Sequence, residues 1–368
     1  KAAKYAFASI RGQGSFDELT VELLKAFRPR DVKAANSKTK LLSLFKDAKA
    51  KSVKALETRM ERAQDRLDTR YNVNFDPRAE IIGDDPFDFS DHNYGNPDVV
   101  GPTPRHGSHV GSIAGSTRNN GKGIDGIAHD VRLMILRAVP SGDEWDKDVA
   151  NSIRYAVDNG ADIINMSFGK PLSPGKAAVD AAVAYAAEHG VLLIHSAGNE
   201  SLNTDKTPTY PNPWIGDSNT ERFDNWITVG ASSADLGSRL VAYFSNYGQR
   251  TVELFAPGVK VKAALPGRND DGEWRYGALS GTSMAAPTVA GVAALVLSQY
   301  PELSPTEVRS LLMKTTRKLP GLMVQKPGGK DDELVPFESL SSTGGIVDAY
   351  AALQEAMTLY GEERQAAA

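Results

Sequence analysis

Residues 162–195 read DIINMSFGKPLSPGKAAVDAAVAYAAEHGVLLIH, with two short β-rich runs on either side of a helical stretch. The runs Asp162–Met166 and Val191–His195 have the length and apolar character of buried strands. The stretch between them, Gly175–His189, has the length of a helix. A strand, a helix and a second strand in this order predict two parallel strands joined by a right-handed crossover.

The same alternation continues through the chain after Arg78. Further strands are predicted at Glu80–Ile82, Val131–Arg137, Trp226–Val229 and Val252–Phe255. Further helices are predicted at Val110–Gly115, Lys147–Asn159, Ser283–Tyr300 and Gly345–Leu359, and one begins at a capping box of Ser304 and Glu307. The pattern predicts an α/β fold, a doubly wound and mostly parallel sheet with helices on both faces, and ligands in such sheets bind beyond the carboxyl ends of the strands. The Pro/Gly-rich stretch 320–336 is expected to be an exposed loop.

Residues 1–78 differ in composition from the rest of the chain. They carry 18 Lys and Arg against 10 Asp and Glu, whereas the remaining residues carry 24 against 36. Apolar positions from Thr39 to Tyr71 recur at three- and four-residue steps and predict one long helix, and Asp17–Phe27 is predicted as a shorter one. Charges of both signs alternate along this pattern, which favours a solvated helix face over nucleic-acid binding.

These differences predict three parts of the chain. Residues 1–78 form a basic helical segment, which either packs as an excursion on the main domain or serves as a lid or partner-binding arm. The main domain extends over residues 79–360, and residues 361–368 form a tail.

Composition excludes several classes of protein. The hydrophobic fraction of 41% and the charged fraction of 24% are typical of a globular domain. The absence of cysteine excludes disulfides, thiolate metal sites and cysteine nucleophiles. No run approaches eighteen consecutive apolar residues, so no transmembrane segment is expected. The chain begins at Lys1 without a charged-then-apolar leader, and we interpret it as a processed product or a fragment.

Ser283 lies where a loop enters a predicted helix, within the segment Gly281-Thr282-Ser283-Met284-Ala285-Ala286-Pro287. Backbone N–H groups at a helix N-terminus lack intrahelical partners, and the helix dipole favours negative charge there. A serine at this point can aim its own N–H at the oxyanion that forms when its hydroxyl attacks a carbonyl. A plain helix-capping serine is the alternative reading of this segment taken alone.

Two other segments place reactive side chains beside small neighbours: His106-Gly107-Ser108-His109-Val110 and Ser196-Ala197-Gly198-Asn199. His106 precedes a small-residue helix and has the proton affinity of a base near neutral pH. His106 and His109 have a spacing that metal ligands use, but the glutamate of the zinc-protease helix motif is absent, and no metal site is predicted. Asn199 ends a predicted buried strand, where its amide either donates to an oxyanion or completes a tight turn.

The order of these residues separates the classes of serine hydrolase. No histidine follows Ser283, because the last one in the chain is His195, and this excludes the order serine, acid, histidine of the α/β-hydrolases. An all-β chymotrypsin-like domain conflicts with the alternation of strands and helices. A histidine before a serine on a parallel α/β sheet leaves the arrangement in which an aspartate precedes the histidine.

The chain resembles the subtilisin-like serine peptidases, the subtilases. The segments that carry the resemblance are in the family's order: His106–Gly115, Ile163–Gly169, Ser196–Asn199, Phe244–Gly248, Phe255–Gly258 and Leu279–Pro287. Tyr94-Gly95-Asn96 and Thr343-Gly344-Gly345-Ile346 are similar to a bacterial cell-envelope branch of the family. That branch implies a subtilisin-like fold and an exported endopeptidase, located in the periplasm, at the cell surface or outside the cell.

The resemblance also implies a role for each matching residue. Ser283 is the expected nucleophile, His106 the general base and Asn199 the oxyanion donor. The expected substrate-binding residues are Ser167, Phe168 and Gly169, which pair with an extended polypeptide, and Ala197 and Gly198, which join them in lining the primary specificity pocket. The chemistry requires no cofactor, and the resemblance leaves room for structural calcium.

One element of the family pattern has no match in this chain. The family's catalytic aspartate ends the first core strand and is followed by a small hydroxyl residue and glycine, a context that no Asp in residues 1–105 has. Asp84 and Asp85, which follow the predicted strand Glu80–Ile82, are the candidates within the chain. The alternative is an aspartate on an upstream N-terminal fragment.

Two functions follow from this departure. The first is a serine endopeptidase that hydrolyses peptide bonds through an acyl-enzyme, which the presence of Ser283, His106 and Asn199 favours. The second is a catalytically inactive subtilase-like domain that binds peptides or acts as a scaffold, which the unmatched aspartate favours.

Overall fold

The computed structural model describes residues 19–29, 31–69, 71–72, 74–75, 78–101, 103–139, 144–269, 272–330 and 333–367. Contacts within the chain divide it into two compact units, Lys1–Ile81 and Ile82–Ala368. Residues 1–18, which include the start of the helix predicted at Asp17–Phe27, lie outside the described residues.

The first unit is helical in its described part, with α1 at Val21–Ala26, α2 at Val32–Asp47 and α3 at Val53–Asp68. The single helix predicted from Thr39 to Tyr71 is wrong. The chain turns after α2, where Lys49 has a positive φ of 48°, and α3 begins where the Ser52 hydroxyl accepts a hydrogen bond from the Ala55 N–H at 3.2 Å. The turn allows both helices to bury one apolar cluster, which includes Leu41 and Phe45 of α2 and Val53 and Leu56 of α3.

The second unit is built around a six-stranded sheet. The strands in chain order are β1 Ile163–Met166, β2 Leu192–Ser196, β3 Trp226–Ser232, β4 Leu254–Pro257, β5 Val261–Arg268, β6 Trp274–Leu279, β7 Arg317–Lys318, β8 Met323–Gln325, β9 Leu334–Pro336 and β10 Gly345–Ile346. The order in the main sheet is β1-β2-β3-β4-β10-β7, and every pairing in it is parallel except that of β10 with β7. The predicted α/β fold with a mostly parallel sheet is confirmed.

Helices cover both faces of this sheet. They are α4 Arg105–Gly115, α5 Asp146–Asp158, α6 Lys176–Glu188, α7 Thr282–Gln299, α8 Pro305–Lys314 and α9 Ala349–Ala367. Successive side chains of a strand point to opposite faces of the sheet. In β2, Leu192 and Ile194 therefore join the core cluster around α7, whereas Leu193 joins the cluster of α5 and α6 on the other face. The capping box predicted at Ser304 and Glu307 begins α8 and is confirmed.

Four local predictions are wrong. Glu80–Ile82 belongs to a short π-helix, Arg78–Ile82, and Val131–Arg137 pairs with none of the described strands. The predicted loop 320–336 contains the antiparallel hairpin β8–β9, which the fully buried Val324 anchors in an apolar cluster. The helix predicted from Gly345 begins only at Ala349, because Gly345 and Ile346 are used as a strand between β4 and β7.

Helix α7 is the central helix of this unit. Among the described residues it is the one helix long and apolar enough to cross a membrane by length and composition, yet 67% of that stretch is buried inside the protein. Its apolar character therefore serves the core cluster that it shares with β2, β3 and β4.

Candidate active site

The predicted site segments meet where α7 begins. Ser167 directly follows β1, residues 197–199 directly follow β2, and Ser283 is the second residue of α7. Hydrogen bonds join all three segments. The carboxyl ends of two adjacent parallel strands therefore face the N-terminus of one helix, as expected for a site in a doubly wound sheet.

The Asn199 side chain caps α7. Its Oδ1 accepts a hydrogen bond from the Thr282 N–H at 2.8 Å and one from the Thr282 hydroxyl at 3.2 Å. The Thr282 hydroxyl in turn accepts from the Gly198 N–H at 3.1 Å. These donors identify the oxygen of the amide, and the described residues provide no hydrogen-bond partner for Nδ2, which therefore remains available to donate.

The first turn of α7 is also tied to the end of β1. The Ser167 hydroxyl donates to the Ser283 carbonyl at 3.0 Å, and the Ser283 hydroxyl donates to the Ser167 carbonyl at 3.2 Å. Ser283 lies in the first turn, where a backbone N–H has no intrahelical acceptor. Gly281, rather than Ser283, occupies the N-cap position, so the alternative of a plain capping serine is wrong.

His106 is the second residue of α4. The helix packs against α7 and β5 through a small cluster that contains Ile113, Ala263 and Met284. His109, one turn further along, is fully buried, and its Nε2 lies 3.1 Å from the Gly277 carbonyl, as expected for a packed helix residue. The helix that carries the candidate base thus packs against the helix that carries the candidate nucleophile.

His106 has no carboxylate within ion-pair distance in the part of the chain that the structure describes. Its side chain is exposed, yet neighbouring protein atoms desolvate the ring enough to lower the pKa of His106 from 6.5, and His109 lowers it further. The hydrogen bonds of the Ser283 hydroxyl and of the described carboxylates do not include the His106 ring. The structure therefore brings Asn199, Ser167 and Ser283 into one network and leaves His106 outside it.

Asp84 and Asp85 serve another purpose. The Asp84 carboxylate lies 2.7 Å from the Lys147 Nζ, and both side chains are buried. The Asp85 carbonyl accepts from the same ammonium at 2.8 Å, while its carboxylate accepts from the Phe87 N–H at 2.9 Å. A buried lysine needs such a partner, because an unpaired buried charge is strongly destabilising. The loop around Asp84 is thus anchored to α5, and neither carboxylate is paired with His106.

A histidine for which the sequence predicts no role, His195, holds the expected substrate-binding edge, Ser167–Gly169. The Nε2 of His195 lies 2.8 Å from the Phe168 carbonyl oxygen, and His195 is only 2% exposed. Burial lowers the pKa of His195 to about 4, so the ring is neutral near pH 7 and its Nε2–H is available to donate. The only sequence signal was a polar residue in an otherwise apolar strand.

The chain beside the site has an open sheet edge. Within the described residues β1 pairs with β2 on one side and with no strand on the other. Residues Leu133, Met134 and Ile135, in the segment predicted as a strand, are 49%, 40% and 46% exposed. Unpaired backbone groups and exposed apolar side chains are what a further strand would cover.

The described residues contain no group of three or more His, Asp or Glu side chains arranged to hold a metal ion. The hydrogen bonds of the site come from an amide, three hydroxyls and backbone groups. The chemistry of the site is therefore that of a hydroxyl beside polarised donors.

Comparisons with known proteins find related sequences and structures. A family model described as the subtilase family matches residues 49–332. A thermophilic serine proteinase of Bacillus sp. (strain AK1) is 36% identical over 236 residues, which are 64% of this chain and 51% of that protein. The major intracellular serine protease of Bacillus subtilis (strain 168) is 33% identical over 264 residues, 69% of this chain and 75% of that protein.

Solved structures show the same likeness. A protease from Pseudoalteromonas arctica is 29% identical with a TM-score of 0.54, over 68% of this chain and 70% of that one. The chain spans about half the length of the first relative above. The relatives are bacterial and one is named an intracellular protease, so an exported location and the cell-envelope branch stay predictions.

Proposed function

The chain belongs to the subtilase family, and from that premise we propose that it is a serine endopeptidase that hydrolyses polypeptides through an acyl-enzyme. The observation that carries the proposal is the Asn199 side chain, whose oxygen is bound to the start of α7 at 2.8 Å. This bond leaves an amide donor and the first-turn N–H of Ser283 as two donors for one oxyanion.

The proposed reaction uses the residues as follows. The Ser283 hydroxyl turns from the Ser167 carbonyl toward His106, gives its proton to the ring and forms a bond from Oγ to the substrate carbonyl carbon. The carbonyl oxygen takes the negative charge and accepts from Asn199 Nδ2 and from the Ser283 N–H. The protonated His106 then gives its proton to the leaving amine as the peptide C–N bond breaks. A water molecule then gives a proton to His106 and attacks the carbonyl carbon of the acyl-enzyme. The bond to Ser283 Oγ breaks, Oγ takes the proton back from His106, and the carboxylic acid product leaves.

The proposed substrate-binding edge is Ser167–Gly169, which an extended polypeptide would join as an additional strand. The hydrogen bond from His195 to the Phe168 carbonyl supports this assignment, because it fixes the backbone in the middle of this segment. Ala197 and Gly198 line the proposed primary pocket. No cofactor takes part in this reaction.

The base of the proposed site is incomplete in the described residues, and we place its carboxylate on a strand from outside residues 1–368. The proposed partner is an upstream N-terminal fragment that pairs with the open edge of β1 and carries the catalytic aspartate. Two observations support this: the exposed apolar residues at 133–135 and the His106 ring without a carboxylate partner among the described residues. An aspartate would hold the correct tautomer of the ring and stabilise its protonated form.

That His106 has no carboxylate partner among the described residues also supports the second function, an inactive domain that binds peptides. A fluorophosphonate probe distinguishes the two, because it reacts only with an activated serine. We expect labelling of the native protein at Ser283, located by mass spectrometry of the digested adduct, and none in Ser283→Ala.

The matched control is Ser298→Ala, which changes an exposed serine at the far end of the same helix and should keep full labelling. Native protein that co-purifies with an N-terminal peptide and still reacts at no serine would establish the inactive domain instead. Labelling that persists in Ser283→Ala would reject Ser283 as nucleophile.

A further inference from the structure

Asn246 is a fully buried asparagine in the loop between β3 and β4. It belongs to the segment Phe244–Gly248, which contributed to the family resemblance but received no role. A buried amide needs partners for two donor hydrogens and for its oxygen, since unsatisfied polar groups in the interior are costly.

All of those needs are met by the loop that contains Asn199. The Nδ2 of Asn246 donates to the Ala197 carbonyl at 2.9 Å and to the Glu200 Oε2 at 2.8 Å. Its Oδ1 accepts from the N–H groups of Glu200 at 3.1 Å and Leu202 at 2.8 Å.

The backbone N–H of Asn246 adds a bond to the Gly198 carbonyl at 3.0 Å. The partners of this one residue therefore lie on both sides of Asn199 in sequence. Asn199 itself is included through Glu200, whose Oε2 also accepts from the Asn199 N–H at 2.9 Å.

The approach of the two loops is close at Gly198. Gly198 has a φ of +102°, and a Cβ at this position would lie 2.3 Å from the Asn246 Nδ2 and 2.6 Å from the Glu200 Oε2. Both the conformation and the space require glycine there. The contact leaves no room for the loop to shift toward Asn246.

We infer that Asn246 is a positioning residue for the oxyanion donor, and this inference rests on the proposed function. Asn246 holds the backbone of residues 197–202, while the bond to Thr282 holds the side chain of Asn199. Because both the backbone and the side chain of Asn199 are held, the orientation of its Nδ2 donor is set before the substrate binds. Such preorganisation matters because a displacement of about 1 Å at a reacting group can reduce the rate about 10²-fold.

Asn246→Asp tests this inference with little change in volume. The variant keeps an acceptor for Glu200 and Leu202 but places an oxygen against the Ala197 carbonyl and the Glu200 carboxylate. Because the donor bonds become repulsions, we expect kcat of Ser283-dependent turnover to decrease about 10- to 10²-fold with little change in KM. The loss should not exceed that of Asn199→Ala.

The matched control is Asn225→Asp. Asn225 is also a buried asparagine, 2% exposed, and its Nδ2 donates to the Val191 carbonyl at 2.9 Å, but it lies at the opposite end of β2 and β3. This variant should lose stability without a change in kcat. An equal decrease of kcat in both variants would assign Asn246 a merely structural role.

A double-mutant cycle adds a readout that structural damage does not imitate. If Asn246 acts through Asn199, then Asn246→Asp should cause little further loss of kcat in the Asn199→Ala background. Losses that multiply in the double variant would overturn the inference.

Hydrogen exchange of the loop separates this inference from the proposed function, because it needs no turnover. Peptides that cover residues 197–202 should exchange faster in Asn246→Asp and not in Asn225→Asp. Unchanged exchange overturns the positioning role. If Asn246→Asp exchanges faster while Ser283 of the native protein does not react with the probe, the result supports the link between Asn246 and the loop at residues 197–202. It also overturns the proposed function and the expected decrease of kcat.

Discussion

The two sides of the candidate site differ in how completely they are built. The serine side consists of the start of α7 and the ends of β1 and β2. Three of its polar groups have hydrogen-bond partners: the Asn199 side-chain oxygen, the Ser167 hydroxyl and the Phe168 carbonyl. On the histidine side, at the start of α4, His106 has no carboxylate partner among the described residues.

The difference shows which part of a serine-hydrolase site can form alone. The proposed oxyanion donors depend on strand ends and one helix that this chain contains, and their hydrogen bonds are local to that end of the sheet. In the proposed function, the base depends on a further strand that the described residues do not supply. The proposed oxyanion site can therefore form while the proposed base lacks its carboxylate partner.

The largest effect is expected from completing the histidine side. Adding the proposed upstream fragment to residues 1–368 should raise kcat about 10⁴-fold, the order lost when the acid of a serine triad is removed. It should also raise the unfolding midpoint, because the strand covers the β1 edge. The checks are a peptide-hydrolysis assay and thermal unfolding.

A fragment with its aspartate changed to asparagine separates the gain in kcat from the gain in thermal stability. This control should restore stability through strand pairing but not activity. Full activity from residues 1–368 alone would contradict the contrast between the two sides, and alanine variants of Asp84 and Asp85 would then identify the source of the carboxylate.

A smaller effect is expected from removing a donor on the serine side. Asn199→Ala should lower kcat about 10²- to 10³-fold with little change in KM, because the amide donates mainly to the charge that develops in the transition state. Steady-state kinetics on the completed enzyme measure this. Asn159→Ala, at the end of α5, serves as the control with unchanged kinetics, and a variant of Asn199 that changed only KM would assign that residue to substrate binding.

The buried histidine of the serine side should appear in the pH dependence of stability. Unfolded His195 takes up a proton near pH 6.5, whereas burial lowers the pKa of the folded form to about 4. In this window the unfolded state binds the extra proton, so the free energy of unfolding decreases by about 1.4 kcal/mol for each pH unit of acidification.

His195→Gln keeps a donor for the Phe168 carbonyl and removes the titration, so its stability should be flatter between pH 6.5 and 4. Denaturant unfolding at several pH values measures the slope. The exposed His189, changed to Gln, is the control and should leave the slope unchanged. A wild-type slope that persists in His195→Gln would show that other groups cause it.

The smallest expected effect is a shift in the pH below which fluorophosphonate labelling of Ser283 decreases. Desolvation and His109 hold the pKa of His106 below 6.5, and only the neutral ring can accept the serine proton. A carboxylate from the fragment should raise this pKa, because it favours the charged ring, and move the decrease of fluorophosphonate labelling to higher pH. A decrease at unchanged pH would show that the carboxylate does not reach His106.

The sequence by itself determined the elements whose signals are local. The apolar runs at 163–166 and 192–196, the capping box at Ser304 and the helix that follows Thr282 are specified by neighbouring residues. Such signals are readable because strand and helix periodicity and capping act over a few positions. The segments around Ser283, His106 and Asn199 also stand out locally, by small residues at predicted element ends, but the roles expected of these residues came from the family resemblance.

Only the tertiary structure decided the elements that depend on distant partners. The turn before Ser52 exists because α2 and α3 share a core, and the Asp84 carboxylate pairs with Lys147. Val131–Arg137 forms no strand because no described segment pairs with it. The bonds of Asn246 to Ala197 and of Asn199 to Thr282 join residues 49 and 83 positions apart. Neither partner carries a local signal for the other, since hydrogen bonding and burial depend on proximity in space rather than along the chain.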